Sequence, residues 1–197
     1  MAASSPIVHR RFDSAGARAQ RDVVSQIHRD AYSDRIATGD EFASDEAFMT
    51  RFDAYTARDG FGLIIAYVDS EPTPQPVGQT WGWPLPPETK WWEGLEDPPD
   101  PDFTQEDGHR TFALSEIMVG RPWTGKGIAR SLHDELLRPR TEKRATLLVR
   151  PDNPAYAIYE RWGWRKAARL RPGWPGAPLM DVLMLPLPLN PSRTEGA

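Results

Sequence analysis

The chain has 197 residues, 26% charged and 39% hydrophobic, with a formal net charge of −4. That balance suits one globular domain with a sizeable core and argues against general nucleic-acid binding. The absence of cysteine excludes disulfides, thiolate metal sites and a Cys nucleophile, and the four histidines, at 9, 28, 109 and 133, stand in no ligand spacing, so no metal is expected. No apolar run is long enough for a membrane span and no basic start precedes an apolar segment, so neither a membrane partner nor a signal peptide is expected and the cytoplasm is the expected compartment.

Residues 1–5 are expected to be disordered, 6–188 to form one domain and 189–197 to trail as a tail. Pro6–Phe12 alternates and predicts a first strand. Asp13 or Ser14 can cap a helix running through Ile36, with Val23, Val24, Ile27, Ala31 and Tyr32 on its buried side. A second helix, about Ser44 to Arg58, carries Phe48, Phe52 and Tyr55 at helical spacing. Phe61–Val68 predicts a strand, a turn with Pro72, Pro74 and Pro76 follows, and Val77–Trp83 returns as its hairpin partner. Trp81 and Trp83 share one face of that strand, where they either pack against the next segment or stack on a substrate.

The stretch 84–108 reads as an insertion loop rich in proline and acid, with Glu88, Glu93, Glu96, Asp97, Asp100, Asp102, Glu106 and Asp107 against only Lys90. A loop of this length in a compact domain is usually functional or disordered, and the adjacent Trp91 and Trp92 argue against disorder. Its carboxylates and rings suit a cationic, polyhydroxylated acceptor; the other reading is a solvated surface loop.

Arg110–Val119 predicts the central strand, and Ile128, Leu132, Leu136 and Leu137 recur at the period of a helix packed on one face. Between them Gly125 and Gly127 remove side chains where a ligand must approach the backbone, and the first N–H groups of the helix can bind an anion. Gly120–Gly127 nearly matches the nucleotide loop G-x-x-x-x-G-K-[S/T]. Gly127 follows Lys126, however, so the hydroxyl that would hold Mg²⁺ is missing and a triphosphatase is disfavoured. Arg138, Arg140, Lys143 and Arg144 then form a basic connector, open to a coenzyme phosphate or to solvent. Ala145–Val149 predicts a strand, Pro154 or Ala155 starts a helix to about Trp162 that Gly163 ends, and Trp164–Leu170 with Leu179–Leu187 makes a last strand pair around loop 171–178. His109 and His133 are expected at the surface.

Thr124-Gly-Lys-Gly-Ile-Ala129 resembles the pyrophosphate loop Q/R-x-x-G-x-G/A in motif A of the GNAT superfamily of acetyl-CoA-dependent N-acetyltransferases, with threonine in the first position. Val149–Trp164 resembles motif B of the same family, N-x-x-A-x-x-x-Y followed by an aromatic-Gly-aromatic turn. With Ala155 and Tyr159 in register, Asp152 stands where Asn is usual and Asn153 comes one position later. The resemblance spans about residues 60 to 187. It implies an α/β (α+β) fold: a mixed, mostly antiparallel sheet of about seven strands, splayed in the middle, with helices on both faces. Dimers are common in such a family, so a homodimer is left open.

The resemblance also implies a site. Backbone N–H groups of Ile117, Met118 and Val119 would polarise the acetyl carbonyl. Thr124, Gly125, Lys126, Gly127, Ile128, Ala129 and Arg130 would hold the pyrophosphate, and Asp152, Asn153 and Ala155 complete the cofactor-binding set. Tyr159 would protonate the departing sulfur, and Glu116 would take the proton of the amine and attract its ammonium form. Trp81, Trp83, Trp91, Trp92, Glu93 and Glu116 are the expected substrate contacts. The expected reaction moves an acetyl group to a primary amine of a small cationic molecule, an aminoglycoside-like antibiotic first, with coenzyme A as product. A protein N-terminus or a polyamine is the alternative acceptor, and a non-catalytic acyl-coenzyme-A sensor is the alternative of another class.

Overall fold

The structure, a computed structural model, describes residues 6–69, 73–173 and 176–189. The expected disordered start at 1–5, Pro72 of the hairpin turn, residues 174–175 of loop 171–178 and the tail from 190 onward lie outside the described residues. In chain order the elements are β1 (Ile7–Phe12), α1 (Ser14–Ala19), α2 (Arg21–Ala37), α3 (Asp45–Tyr55), β2 (Gly62–Val68), β3 (Gln75–Pro84), β4 (Leu95–Glu96), β5 (Thr111–Val119), α4 (Ile128–Leu137), β6 (Arg144–Val149), α5 (Tyr156–Arg161), β7 (Arg165–Leu170) and β8 (Met180–Pro186). The strands follow the order β1-β2-β3-β5-β6-β8-β7-β4. β5 and β6 run parallel, while β1–β2, β2–β3, β6–β8, β7–β8 and β4–β7 are antiparallel.

The chain divides into two compact units, Met1–Trp83 with Glu116–Leu136 and Pro84–Ser115 with Leu137–Ala197. In the first unit, Asp13 caps α1 by accepting from the Gly16 N–H at 2.8 Å. The expected single helix through Ile36 is two helices. The backbone leaves helical angles at Gln20 (φ −95°, ψ 12°), whose N–H closes a turn on Ala17 O at 3.0 Å while its carbonyl starts α2 by accepting from Val24. Ser44 caps α3 by accepting from Ala47 N–H at 3.2 Å. Phe48, Phe52, Trp81 and the β2 run Leu63–Ala66 form the core of this unit. Gly78 in β3 allows a close approach: a Cβ there would lie 3.0 Å from both Met118 O and Leu132 Cδ1.

The second unit holds the acidic stretch, which is folded rather than a plain loop. Leu95 and Glu96 pair with Leu170 and Arg169 as an eighth strand beyond the seven expected. Gly94 makes that pairing feasible, because its φ is +79° and a Cβ would stand 2.0 Å from Arg171 O. The stretch closes on Arg144, whose guanidinium donates to Glu106 Oε1 (3.2 Å), Thr111 Oγ1 (2.8 Å) and Phe103 O (2.6 Å). The Trp92 indole N–H donates to the same Glu106 oxygen at 3.1 Å, and Trp92 packs on Phe103.

Candidate active site

The cradle lies where β5 gives way to α4. Gly120 N–H donates to Val77 O at 2.8 Å, one 3₁₀ turn follows at Arg121–Trp123, and the Thr124 hydroxyl donates to Arg121 O at 2.9 Å. Gly125 and Gly127 have φ of +74° and +78°, with no atom within 4 Å of where a Cβ would stand. The left-handed backbone, not crowding, is therefore what calls for glycine there. Ser131 N–H donates to Gly127 O at 3.1 Å, so the N–H groups of Ile128, Ala129 and Arg130 fall in the first helical turn, ahead of the intrahelical ladder. The exposed Lys126 ammonium stands 4.4 Å from the Trp123 ring. Arg130, expected to face the coenzyme, donates through Nε to Asp134 Oδ2 at 3.0 Å.

His133 is not at the surface as expected: it is fully buried, with Nδ1 2.8 Å from Asp134 Oδ1. Burial lowers its pKa despite that carboxylate. Burial works against the Asp134 carboxylate too, and the hydrogen bonds and charges of His133 and Arg130 outweigh it, holding the pKa below the usual range. His133 stands four residues before Leu137, which is the helical signal that places it inward. His109 is exposed, as expected.

Along β5, Met118 is buried while Ile117 and Val119 are half-buried. Gln79 Nε2 donates both to Val24 O (3.0 Å) and toward Met118 Sδ (3.3 Å), so that face of the strand meets α2. Glu116 lies two residues from Met118 and points the same way. Its carbonyl accepts from Thr80 Oγ1 at 2.8 Å, and its carboxyl is desolvated strongly enough to raise its pKa from 4.5 to about 7, against the opposing fields of Arg51 and Arg35. A carboxyl poised near neutrality is what a general base requires, and this one stands on the strand that leads into the two-glycine turn.

Sequence reasoning did not single out Arg51 and Arg35. Arg51 is half-buried, donates from Nη2 to Phe42 O at 3.0 Å and lies 3.9 Å from the Phe42 ring and 5.9 Å from the Phe48 ring. Desolvation lowers its pKa. Arg35 is bound to Asp40 at 2.6 Å and lies over Tyr32 at 5.4 Å; its hydrogen bond is the main reason that the Asp40 pKa falls. The available signal for Arg51 is its position three residues after Phe48 and four before Tyr55, on one face of α3.

The expectation that Trp81 and Trp83 contact substrate is corrected. They are 1% and 3% exposed, Trp81 packed against Phe48 and Phe52 and Trp83 stacked 4.5 Å from Tyr55, so their shared face is core. Trp92, in the second unit, is likewise buried and bonded to Glu106, while Trp91 is half-buried and Glu93 exposed.

In the second unit, Asp152 accepts a two-pronged hydrogen bond from Arg150 at 2.9 and 2.7 Å. Asn153 Oδ1 accepts from Ala155 N–H at 2.8 Å and so caps the entry to α5. Tyr159 is half-buried on α5, with edge contacts to Trp162 and Trp164 at 5.8 and 6.5 Å. Tyr156 donates to Asp181 Oδ2 at 2.8 Å, and burial together with that carboxylate pushes its pKa up to about 12. In the basic connector Arg140 binds Glu142 and Arg144 binds Glu106, leaving Arg138 and Lys143 exposed.

Among the described residues no group of three or more His, Asp or Glu is placed to hold a metal, and no helix is long and apolar enough to cross a membrane. No family model and no curated protein sequence matches the chain. Solved structures do. An acetyltransferase from Thermus thermophilus superposes with a TM-score of 0.60 at 13% identity, over 93% of this chain and 99% of its own. NAA60 from Arabidopsis thaliana in complex with acetyl-CoA gives 0.58 at 15%, over 91% and 96%. The ribosomal-protein-S18-alanine N-acetyltransferase from Escherichia coli gives 0.58 at 15%, over 94% and 96%. With its mostly antiparallel eight-stranded sheet, the chain has the fold of the GNAT acetyltransferases.

Proposed function

We propose that the chain is an acetyl-CoA-dependent N-acetyltransferase acting on a primary amine. The observation that carries this reading is the Thr124–Gly127 turn, with two left-handed glycines opening α4, in a fold shared with acetyltransferases of which one is solved with acetyl-CoA. The turn fits a pyrophosphate: it is exposed, the space beside both glycines is open, and the first-turn N–H groups of Ile128, Ala129 and Arg130 are donors for an anion, with the Lys126 charge alongside. Thr124 contributes through its backbone, since its hydroxyl is bound to Arg121 O.

The coenzyme supplies an activated acetyl thioester. Glu116, titrating near pH 7, takes the proton of the attacking amine directly or through water. Backbone N–H groups of Ile117–Val119 polarise the acetyl carbonyl. The role of Tyr159 rests on its motif: an un-ionised phenol gives its proton to the leaving thiolate. Asp152, Asn153 and Ala155 have the same motif-based standing as coenzyme contacts, Asp152 and Asn153 also serving in the bonds described.

The aminoglycoside-like acceptor draws no support from Trp81, Trp83, Trp92 or Glu106, all taken up in packing. A small-molecule amine or a protein N-terminus is the acceptor class.

A thermal-shift titration tests the proposal, with ATP and Mg²⁺ as control. At a hundred times its dissociation constant acetyl-CoA stabilises by about 2.7 kcal/mol, which for a chain of this size raises the melting point by roughly 5–10 °C. No shift, or a shift with ATP instead, defeats the proposal.

A further inference from the structure

We infer that the amine acceptor carries an oxyanion, a carboxylate or a phosphate, and that Arg51 is the residue that holds it. This rests on the acetyltransferase reading for the reacting amine, but the anion site itself does not. Three arginines of α2 have their own carboxylates: Arg21 with Asp53, Arg29 with Asp45 and Arg35 with Asp40, at 3.0, 3.0 and 2.6 Å. Arg51 makes no ion pair within 4 Å among the described residues; its one hydrogen bond runs to Phe42 O. A guanidinium presents five N–H donors in a fixed fork suited to two-pronged binding of an oxyanion, so most of that capacity is open here.

Two further features point the same way. The guanidinium carbon stands 3.9 Å from the centre of the Phe42 ring, itself 46% exposed, and 5.9 Å from that of Phe48, contacts that hold the cation without neutralising it. Arg51 and Glu116 belong to the same compact unit, and each acts on the other's ionisation through its charge. A polycation would be repelled by Arg51, whose opposing carboxylates are Glu116, titrating near neutrality, and Asp40, already bound to Arg35. Arg51 is thus a specificity residue, acting on which amine is bound.

The test follows thiol release by the full chain with acetyl-CoA and matched amines: 4-aminobutyrate and phosphoethanolamine against butylamine and 1,4-diaminobutane, for wild type, Arg51→Gln and Arg51→Lys. A charge-assisted hydrogen bond gives the anionic amines an advantage of about 10- to 100-fold in kcat/KM. Arg51→Gln abolishes that advantage, read as the ratio of anionic-amine to butylamine kcat/KM at each pH so that any change in the Glu116 base cancels, while Arg51→Lys keeps part of it. A preference for the diamine, or an anion preference that survives Arg51→Gln, overturns the proposal. Where none of the four amines turns over, glutarate and inorganic phosphate are titrated in thermal melts. Stabilisation of wild type but not of Arg51→Gln supports the site; equal responses, or none in wild type, refute it. Melting of each variant without ligand checks that it folds. An acetyl-CoA shift on the same samples separates the two readings, because its absence defeats the acetyltransferase and leaves the anion titration to stand alone.

Discussion

Replacing Glu116 by glutamine removes a carboxyl that folding makes harder to ionise. Its pKa rises from 4.5 to about 7, with desolvation as the leading cause and Arg51 and Arg35 opposing it. The folded protein therefore holds this proton over a range of pH in which the unfolded chain has released it, so stability falls as pH rises from 4.5 to about 7, by about 1.36 kcal/mol per pH unit. Above that window wild type is less stable than Glu116→Gln by about 3 kcal/mol, and below pH 4.5 the two are nearly equal. Melting curves of both proteins from about pH 4 to 9 read this directly. Glu116→Gln should melt higher by about 6–12 °C at about pH 8 and by little at about pH 4. The same substitution should lower kcat/KM by about 10²- to 10⁴-fold and abolish its rise through pH 7, leaving acetyl-CoA affinity nearly intact. A stability difference that does not change with pH would refute the desolvation of this carboxyl on a half-buried residue, and the base role would fall with it.

Gly125→Ala and Gly127→Ala place a Cβ on left-handed backbone in open space, so each should cost about 1–2 kcal/mol of stability and weaken acetyl-CoA in the thermal-shift titration. Gly94→Ala combines the same strain with a Cβ 2.0 Å from Arg171 O, so it should destabilise by more than either, read by urea denaturation. Arg144→Met leaves the Glu106 carboxylate buried without its cation and should cost about 3–5 kcal/mol in the same assay. Tyr159→Phe should slow the chemical step while the acetyl-CoA shift persists, with single-turnover thiol release separating the two.

The β5–turn–α4 segment is legible because its signals are local: an apolar strand, paired glycines and a 3.6-residue period, all between Thr111 and Leu137. The cap of the first helix, narrowed by sequence to Asp13 or Ser14, is legible for the same reason, and Asp13 fills it. What escapes depends on partners far along the chain. β4 is two residues in an acid-rich stretch and exists because Leu170 and Arg169 pair with it. Composition marks Trp81, Trp83 and Trp92 as notable, but whether a ring faces a helix or a ligand is decided by Phe48, Phe52, Tyr55 and Phe103, none adjacent in sequence. The helix from Asp13 reads as continuous because propensity does not register one residue, Gln20, turning out of it. Charge counting likewise makes the acidic stretch a lure for cations, while Glu106 is bound to Arg144 and Glu96 and Asp97 lie within 3.7 Å of Arg169.

The division of β5 constrains the order of assembly. The first five residues of this strand belong to one compact unit and its last four to the other, and each unit is drawn from segments distant in the chain. A nascent chain that has released only residues up to Trp83 contains neither unit whole. The first cannot close until Leu136 is available, and the second waits for β7 and β8. Such non-local closure is slow, and until it is done the apolar run Gly62–Val68 lacks the α4 residues, Leu132 among them, that complete its unit. The same division means that a single backbone cut cannot yield both units as contiguous fragments, so complementation should require the pieces to fold together rather than to dock after folding.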